Sequence, residues 1–103
     1  MPMSEGQYRI DQTRRVVKEI RNLTARATAL GIRQEFFQAW HSIIEQLRSR
    51  PVEWGDPQWR IRKPGGSVCH GIASPLFVQF VVYEEERAVC ILAVKAVPGS
   101  ALD

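Results

Sequence analysis

The sequence predicts an α+β domain: an N-terminal short strand, a helical hairpin, then a mainly antiparallel sheet of about four strands, in the order β-α-α-β-β-β-β. Three observations carry that prediction. Between Thr13 and Leu47 apolar residues recur at three- and four-residue steps, the stripe of amphipathic helices. From Trp59 onward the period shortens to two or the apolar content becomes continuous, and β-branched and aromatic residues dominate. Gly31, Pro51 and Pro64-Gly65-Gly66 fall between these stretches, where a helix must stop or a strand must turn.

Gln7-Tyr8-Arg9-Ile10-Asp11 alternates polar and apolar, so Tyr8 and Ile10 share the buried face of a brief first strand. Val16, Val17, Ile20, Leu23, Ala27 and Leu30 form the stripe of the first helix. Asp11 or Thr13 can cap its start, and Gly31 can take the left-handed conformation that closes it. Phe36, Phe37, Trp40, Ile43, Ile44 and Leu47 make the second stripe, which Pro51 ends. A turn-rich segment, Val52 to Pro57, leads to a strand in which Trp59 and Ile61 alternate with Arg60 and Arg62. Val68 to Ile72 is the next strand. Leu76 to Tyr83 and Ala88 to Val94 flank Glu84-Glu85-Glu86, a loop of hairpin length, and their apolar continuity places them mid-sheet with one face against the helices.

A chain of 103 residues with 45% hydrophobic and 24% charged residues suits one self-sufficient core, so a single domain is expected over 1–103, with its core about 7–97 and short flexible termini. Two cysteines, Cys69 and Cys90, and two histidines, His41 and His70, supply neither a disulfide framework nor a zinc ligand set. No metal and no cofactor is expected. The first residues lack the basic and apolar regions of a secretory signal, and the longest apolar run, Ala88 to Val94, is far too short to span a bilayer. The expectation is a cytoplasmic protein with reduced thiols and no membrane contact.

The net charge of +3 is unevenly spread. From Arg9 to Arg33 seven bases face two acids, Asp11 and Glu19, and the apolar stripe turns Arg14, Arg15, Lys18 and Arg21 outward. Such a face can bind phosphates or an acidic partner segment, and it equally suits plain solvation. Arg60, Arg62 and Lys63 form the second basic group. A strand would put Arg60 and Arg62 on one face about 7 Å apart, a spacing that grips successive phosphates or serves an outward polar face. No acid stands between Pro57 and Tyr83 in sequence. His70 is the one nearby residue that exchanges a proton near neutral pH, as a general base or as a hydrogen-bonded structural residue. Cys69 beside it is no dyad, because adjacent strand residues point to opposite faces. Trp54 and Trp59 read as core or rim.

The order of elements, the stretch Gln58-Trp59-Arg60-Ile61-Arg62-Lys63 and the ending Leu76 to Val97 resemble the RelE/ParE superfamily of bacterial toxins from type II toxin–antitoxin modules, over roughly residues 7 to 97. The resemblance implies a toxin-like component. RelE-like members are endoribonucleases that cut mRNA in the ribosome, and Arg60 and Arg62 match the alternating bases of that pattern. Together with His70 they are the catalytic candidates, while Arg60, Arg62, Lys63 and Lys95 are the RNA- and phosphate-binding ones. The family pattern also wants an arginine opening the following long strand, where Phe77 stands. It wants a basic residue closing the last strand, where Val97 stands unless Lys95 substitutes, and a tyrosine beyond the position of Asp103. Losing one charge-stabilising donor typically costs about 10²–10³ in rate. ParE-like members bind DNA gyrase without nuclease residues, and a diverged binding domain without toxin activity is the third alternative. Each of the toxin readings implies a cognate antitoxin, whose acidic segment would meet Arg14, Arg15, Lys18 and Arg21, or add a strand at an exposed edge.

Overall fold

Local chemistry sets the helical half of the chain. In the computed structural model, which describes residues 7–62 and 65–103, β1 (Arg9–Gln12) leads directly into α1 (Arg14–Ala29). Of the two candidate caps it is Thr13 that acts, its Oγ1 accepting a hydrogen bond from the Val16 amide at 3.1 Å. Gly31, at φ +75°, turns the chain into α2 (Arg33–Ser49). Pro51 then does more than end α2. At the first helical position its fixed φ favours a new turn, and α3 (Pro51–Trp54) replaces the expected irregular segment.

The sheet has five strands in the order β1-β5-β4-β3-β2, with β2 at Asp56–Ile61, β3 at Gly66–Ala73, β4 at Leu76–Tyr83 and β5 at Ala88–Ala96. All neighbours are antiparallel except β1, which runs parallel to β5 through Arg9↔Ala88 to Gln12↔Ile91. The α+β class, the helical hairpin and the central position of β4 and β5 are therefore as the sequence predicts. The lone parallel pair follows from the hairpin, because an N-terminal strand followed by two helices returns to the sheet by a crossover.

Cross-strand partners share a face, so register sorts the sheet into two sides. Leu76, Val78, Phe80 and Val82 of β4, with Val89, Ile91 and Val94 of β5, meet Val16, Phe36, Ile43 and Leu47 of the helices in the core. Among the described residues the other side carries no helix. We call it the open face. Two register shifts alter which residues reach it: one in β2 between Pro57 and Trp59, and one where Gln79 and Phe80 face Ala93 and Ile91, leaving Leu92 as the extra residue of β5.

Some expectations are corrected. Val17, Leu30 and Phe37, placed in the apolar stripes, are exposed. At the other end Leu102 is fully buried in the core, which thus extends beyond Val97 to the last residues. Residues 1–6, expected as a flexible terminus, lie outside the described residues, as does Lys63.

Candidate functional site

The outer face of α1 carries a stripe of exposed bases. Arg14, Lys18 and Arg21 are all exposed and recur at the four- and three-residue steps that align side chains along one helical stripe, about 10 Å from first to last. Its acid, Glu19, is occupied elsewhere. One carboxylate oxygen accepts from Arg15 Nε at 3.1 Å and the other from the Val94 amide of β5 at 2.9 Å. Arg15 is thus tied to its own helix, while Arg14, Lys18 and Arg21 make no ion pair among the described residues.

Arg60 and Arg62 are not a strand pair. β2 ends at Ile61, and Arg62 falls in the turn that follows, so the two-residue spacing no longer fixes one against the other. The ladder's last rung is Ile61↔Gly66, which leaves Arg62 outside it. Upstream, the shift between Pro57 and Trp59 resets the strand by one residue and so sets the face that Arg60 takes. Trp59 then pairs with Val68 on the open face and Arg60 with Ser67 on the helix-bearing face. There Arg60 lines a cleft of about 320 Å³ with Ser67, Glu84 and Glu85. The sequence stretch free of acids is therefore met in space by the acidic hairpin tip. Lys63 lies outside the described residues.

His70 lies on the open face, and Arg60 does not. His70 pairs across the ladders with Asp56 and Gln79. Gln79 Nε2 stands 3.0 Å from His70 Nε2, within hydrogen-bond distance, so the side-chain amide engages the ring. Phe77 closes on the ring edge-on, with centroids 4.9 Å apart. Lys95, exposed on β5 opposite Phe77, belongs to the same side. The catalytic candidates Arg60 and His70 are therefore split by the sheet, and the phosphate-binding candidate Lys95 lies on the side of His70. His70 makes the satisfied contacts of a structural residue. His41 is exposed on α2.

Neither thiol is set up as a nucleophile. Burial raises the Cys69 pKa, with Asp56 adding to the effect, and burial with Asp11 does the same at Cys90. Among the described residues no group of three or more His, Cys, Asp or Glu could hold a metal ion, and no helix is long and apolar enough to cross a membrane. Two contributors escaped the sequence reading, Gln79 and Glu19. Gln79 carried a weak signal as the polar interruption of an apolar strand. Glu19 carried none, since its partner amide is 75 residues away.

No protein-family model matches this sequence, and no curated protein is significantly similar to it. The fold itself has a counterpart. It superposes on a chain of the crystal structure of the toxin–antitoxin complex RelBE2 from Mycobacterium tuberculosis with a TM-score of 0.66, covering 89% of this chain and 93% of that one at 15% identity. The RelE-like architecture expected from the sequence is the architecture the chain has.

Proposed function

We propose that a chain with this RelE-like fold serves as the toxin-like partner of a type II toxin–antitoxin pair. An acidic antitoxin segment along the outer face of α1 would hold it, and it would act on its target by binding. The observation that carries the reading is the ridge Arg14-Lys18-Arg21. Its three cations are exposed and free of internal ion pairs among the described residues, and the nearest acid is engaged by Arg15 and Val94. An acidic helix or extended segment lying on this stripe gains charge-assisted contacts without displacing any native pair. The neighbouring fold, seen in a toxin–antitoxin complex, supports the same partner class.

Binding is preferred to cleavage on geometry. A nuclease needs its proton acceptor and its charge-stabilising groups around one phosphate, within hydrogen-bond reach. Arg60 faces Glu84 and Glu85 across a cleft on the helix-bearing side, whereas His70 is engaged by Gln79 and Phe77 on the open face. Arg60, Arg62 and Lys95 remain available as RNA- or phosphate-binding groups, each acting alone. Ribosome-bound mRNA and DNA gyrase are the two targets the reading allows.

Controlled expression, primer extension on translated mRNA and a gyrase supercoiling assay test this together. Growth arrest with intact transcripts is expected, relieved by co-expressing an acidic product of the adjacent reading frame but not when Arg14, Lys18 and Arg21 are changed to Glu. Cleavage that vanishes in Arg60→Ala would overturn the binding mechanism, and unimpaired growth would overturn the toxin reading itself.

A further inference from the structure

Cross-strand pairing sets the side chains of the open face in level rows that run from β2 across β3 and β4 to β5. Trp59 begins a row that Cys90 ends. Ile61 begins the next, which passes through Gly66 and Tyr83 and ends at Ala88. Large residues on one flank thus share a level with small ones on the other. The face is also apolar where water reaches it: Trp59 is 55% exposed and Ile72 60%.

Its charges balance. Arg9 is held by Asp11 at 3.1 Å, and the other two charged strand residues on this side are Asp56 on β2 and Lys95 on β5, both exposed. Neither makes an ion pair among the described residues. Three strand spacings separate them, about 14 Å, too far for one to reach the other within a chain. A polyanion draws its affinity from an excess of cations, which this face lacks. An exposed apolar surface of balanced charge suits another of its own kind.

A second copy laid face to face supplies that surface. A two-fold axis along the strands, midway between β3 and β4, stacks β3 of one copy on β4 of the other and β2 on β5, level with level. Large residues then meet small ones. Trp59 lies over the partner's Cys90, Ile61 over the partner's Ala88 and Tyr83 over the partner's Gly66, while Ile72 meets the partner's Phe77. The same operation sets Asp56 one row from the partner's Lys95, an offset of about 7 Å that a lysine's four-carbon stem spans. Each copy provides the counter-ion the other lacks, twice in the dimer.

We propose that the open face is a self-association surface, on which a second copy of this chain packs sheet to sheet about that axis with Asp56 paired to the partner's Lys95. Four strands about 4.8 Å apart and four rows about 7 Å apart give a contact of about 500 Å² on each copy. An interface of that size is weak and concentration-dependent. It closes His70 and Lys95 off from water. The bases Arg14, Lys18 and Arg21 stand on the other side of the sheet, so dimerisation leaves the proposed antitoxin surface free and does not depend on it.

Sedimentation equilibrium of the full chain from micromolar to submillimolar concentration should show a reversible monomer–dimer equilibrium. Asp56→Lys and Lys95→Asp each turn two attractions into repulsions and should weaken it about tenfold. Mixing the two variants should restore it, because both ion pairs of the mixed dimer are again opposite in sign. The doubly exchanged chain, Asp56→Lys/Lys95→Asp, should recover as well, and its net charge equals that of wild type. Amide shifts of wild type on dilution should map to Ile72, Phe77 and Ala93. A chain that stays monomeric throughout, whether or not single-stranded RNA binds the face, overturns the proposal. So do a dimer indifferent to both single changes, losses that neither mixing nor double exchange repairs, and dilution shifts confined to α1 and α2.

Discussion

Replacing Gly71 with alanine tests how tightly α3 is seated on the sheet. A Cβ at Gly71 would lie 2.3 and 2.4 Å from two ring carbons of Trp54, far inside van der Waals contact. Trp54 cannot simply retreat. It is stacked on Phe80 at a centroid distance of 5.9 Å, and Phe80 is itself fully buried, packed so close to Gly55 that a Cβ there would stand 2.6 Å from Phe80 Cζ. Two opposing effects set the sign. Alanine in a strand loses less chain entropy than glycine, a gain of about 0.4–1 kcal/mol. Forcing a methyl group into a packed core costs about 1–3 kcal/mol. The clash wins, and a net loss of about 1–2 kcal/mol follows, which lowers the urea midpoint by about 1 M for a domain of this size. Urea denaturation of wild type, Gly71→Ala, Trp54→Leu and the double variant gives the coupling directly. In the double variant most of the Gly71→Ala penalty should disappear, because the ring that the methyl group meets is gone. A Gly71→Ala protein as stable as wild type would refute the packing argument, and additive losses in the double variant would place the strain elsewhere.

Two other substitutions probe the helices and the thiols. Thr13→Ala removes the hydroxyl that caps α1 and should cost about 1 kcal/mol in the same denaturation assay, while Thr13→Ser should restore most of it; equal losses in both would show that the hydroxyl is not what matters. The thiols set a pH dependence. Burial lifts Cys69 and Cys90 above the ordinary thiol value of 9.0, so the native state holds these protons more tightly than the unfolded chain. Their contribution to stability is full below pH 9.0 and is lost as pH rises through the higher folded values. The alkaline fall in the urea midpoint should therefore be shallower in Cys69→Ala/Cys90→Ala than in wild type, and identical slopes would contradict the assignment.

Much of the fold was legible because its signals are local. The stripes of α1 and α2, the glycine at 31 and the paired β runs around Glu84 to Glu86 each fix an element from a few neighbouring residues. Legibility fails where one residue carries two meanings. Pro51 reads as a stop and is also a start, and Pro57 shifts a register that regular alternation could not anticipate. That shift decides which face Arg60 takes, and the end of β2 at Ile61 undoes the proposed arginine pair. The basic ridge of α1 survived because helical periodicity is robust to such local slips. The acidic neighbours of Arg60 could not be read from the chain, for they arrive through the β3–β4 pairing that carries the hairpin tip to the cleft.

The parallel seam between the first strand and the last also has a consequence for biosynthesis. β1 is made first, yet its neighbour β5 is made last, and the Glu19–Val94 bond that steadies the seam spans 75 residues. Contacts of such long separation form late, because a large loop must close before they offset its entropy. During translation the helical hairpin emerges with no sheet to lie on, and β1 waits without a neighbour. A protein built this way completes its structure only when synthesis is nearly finished.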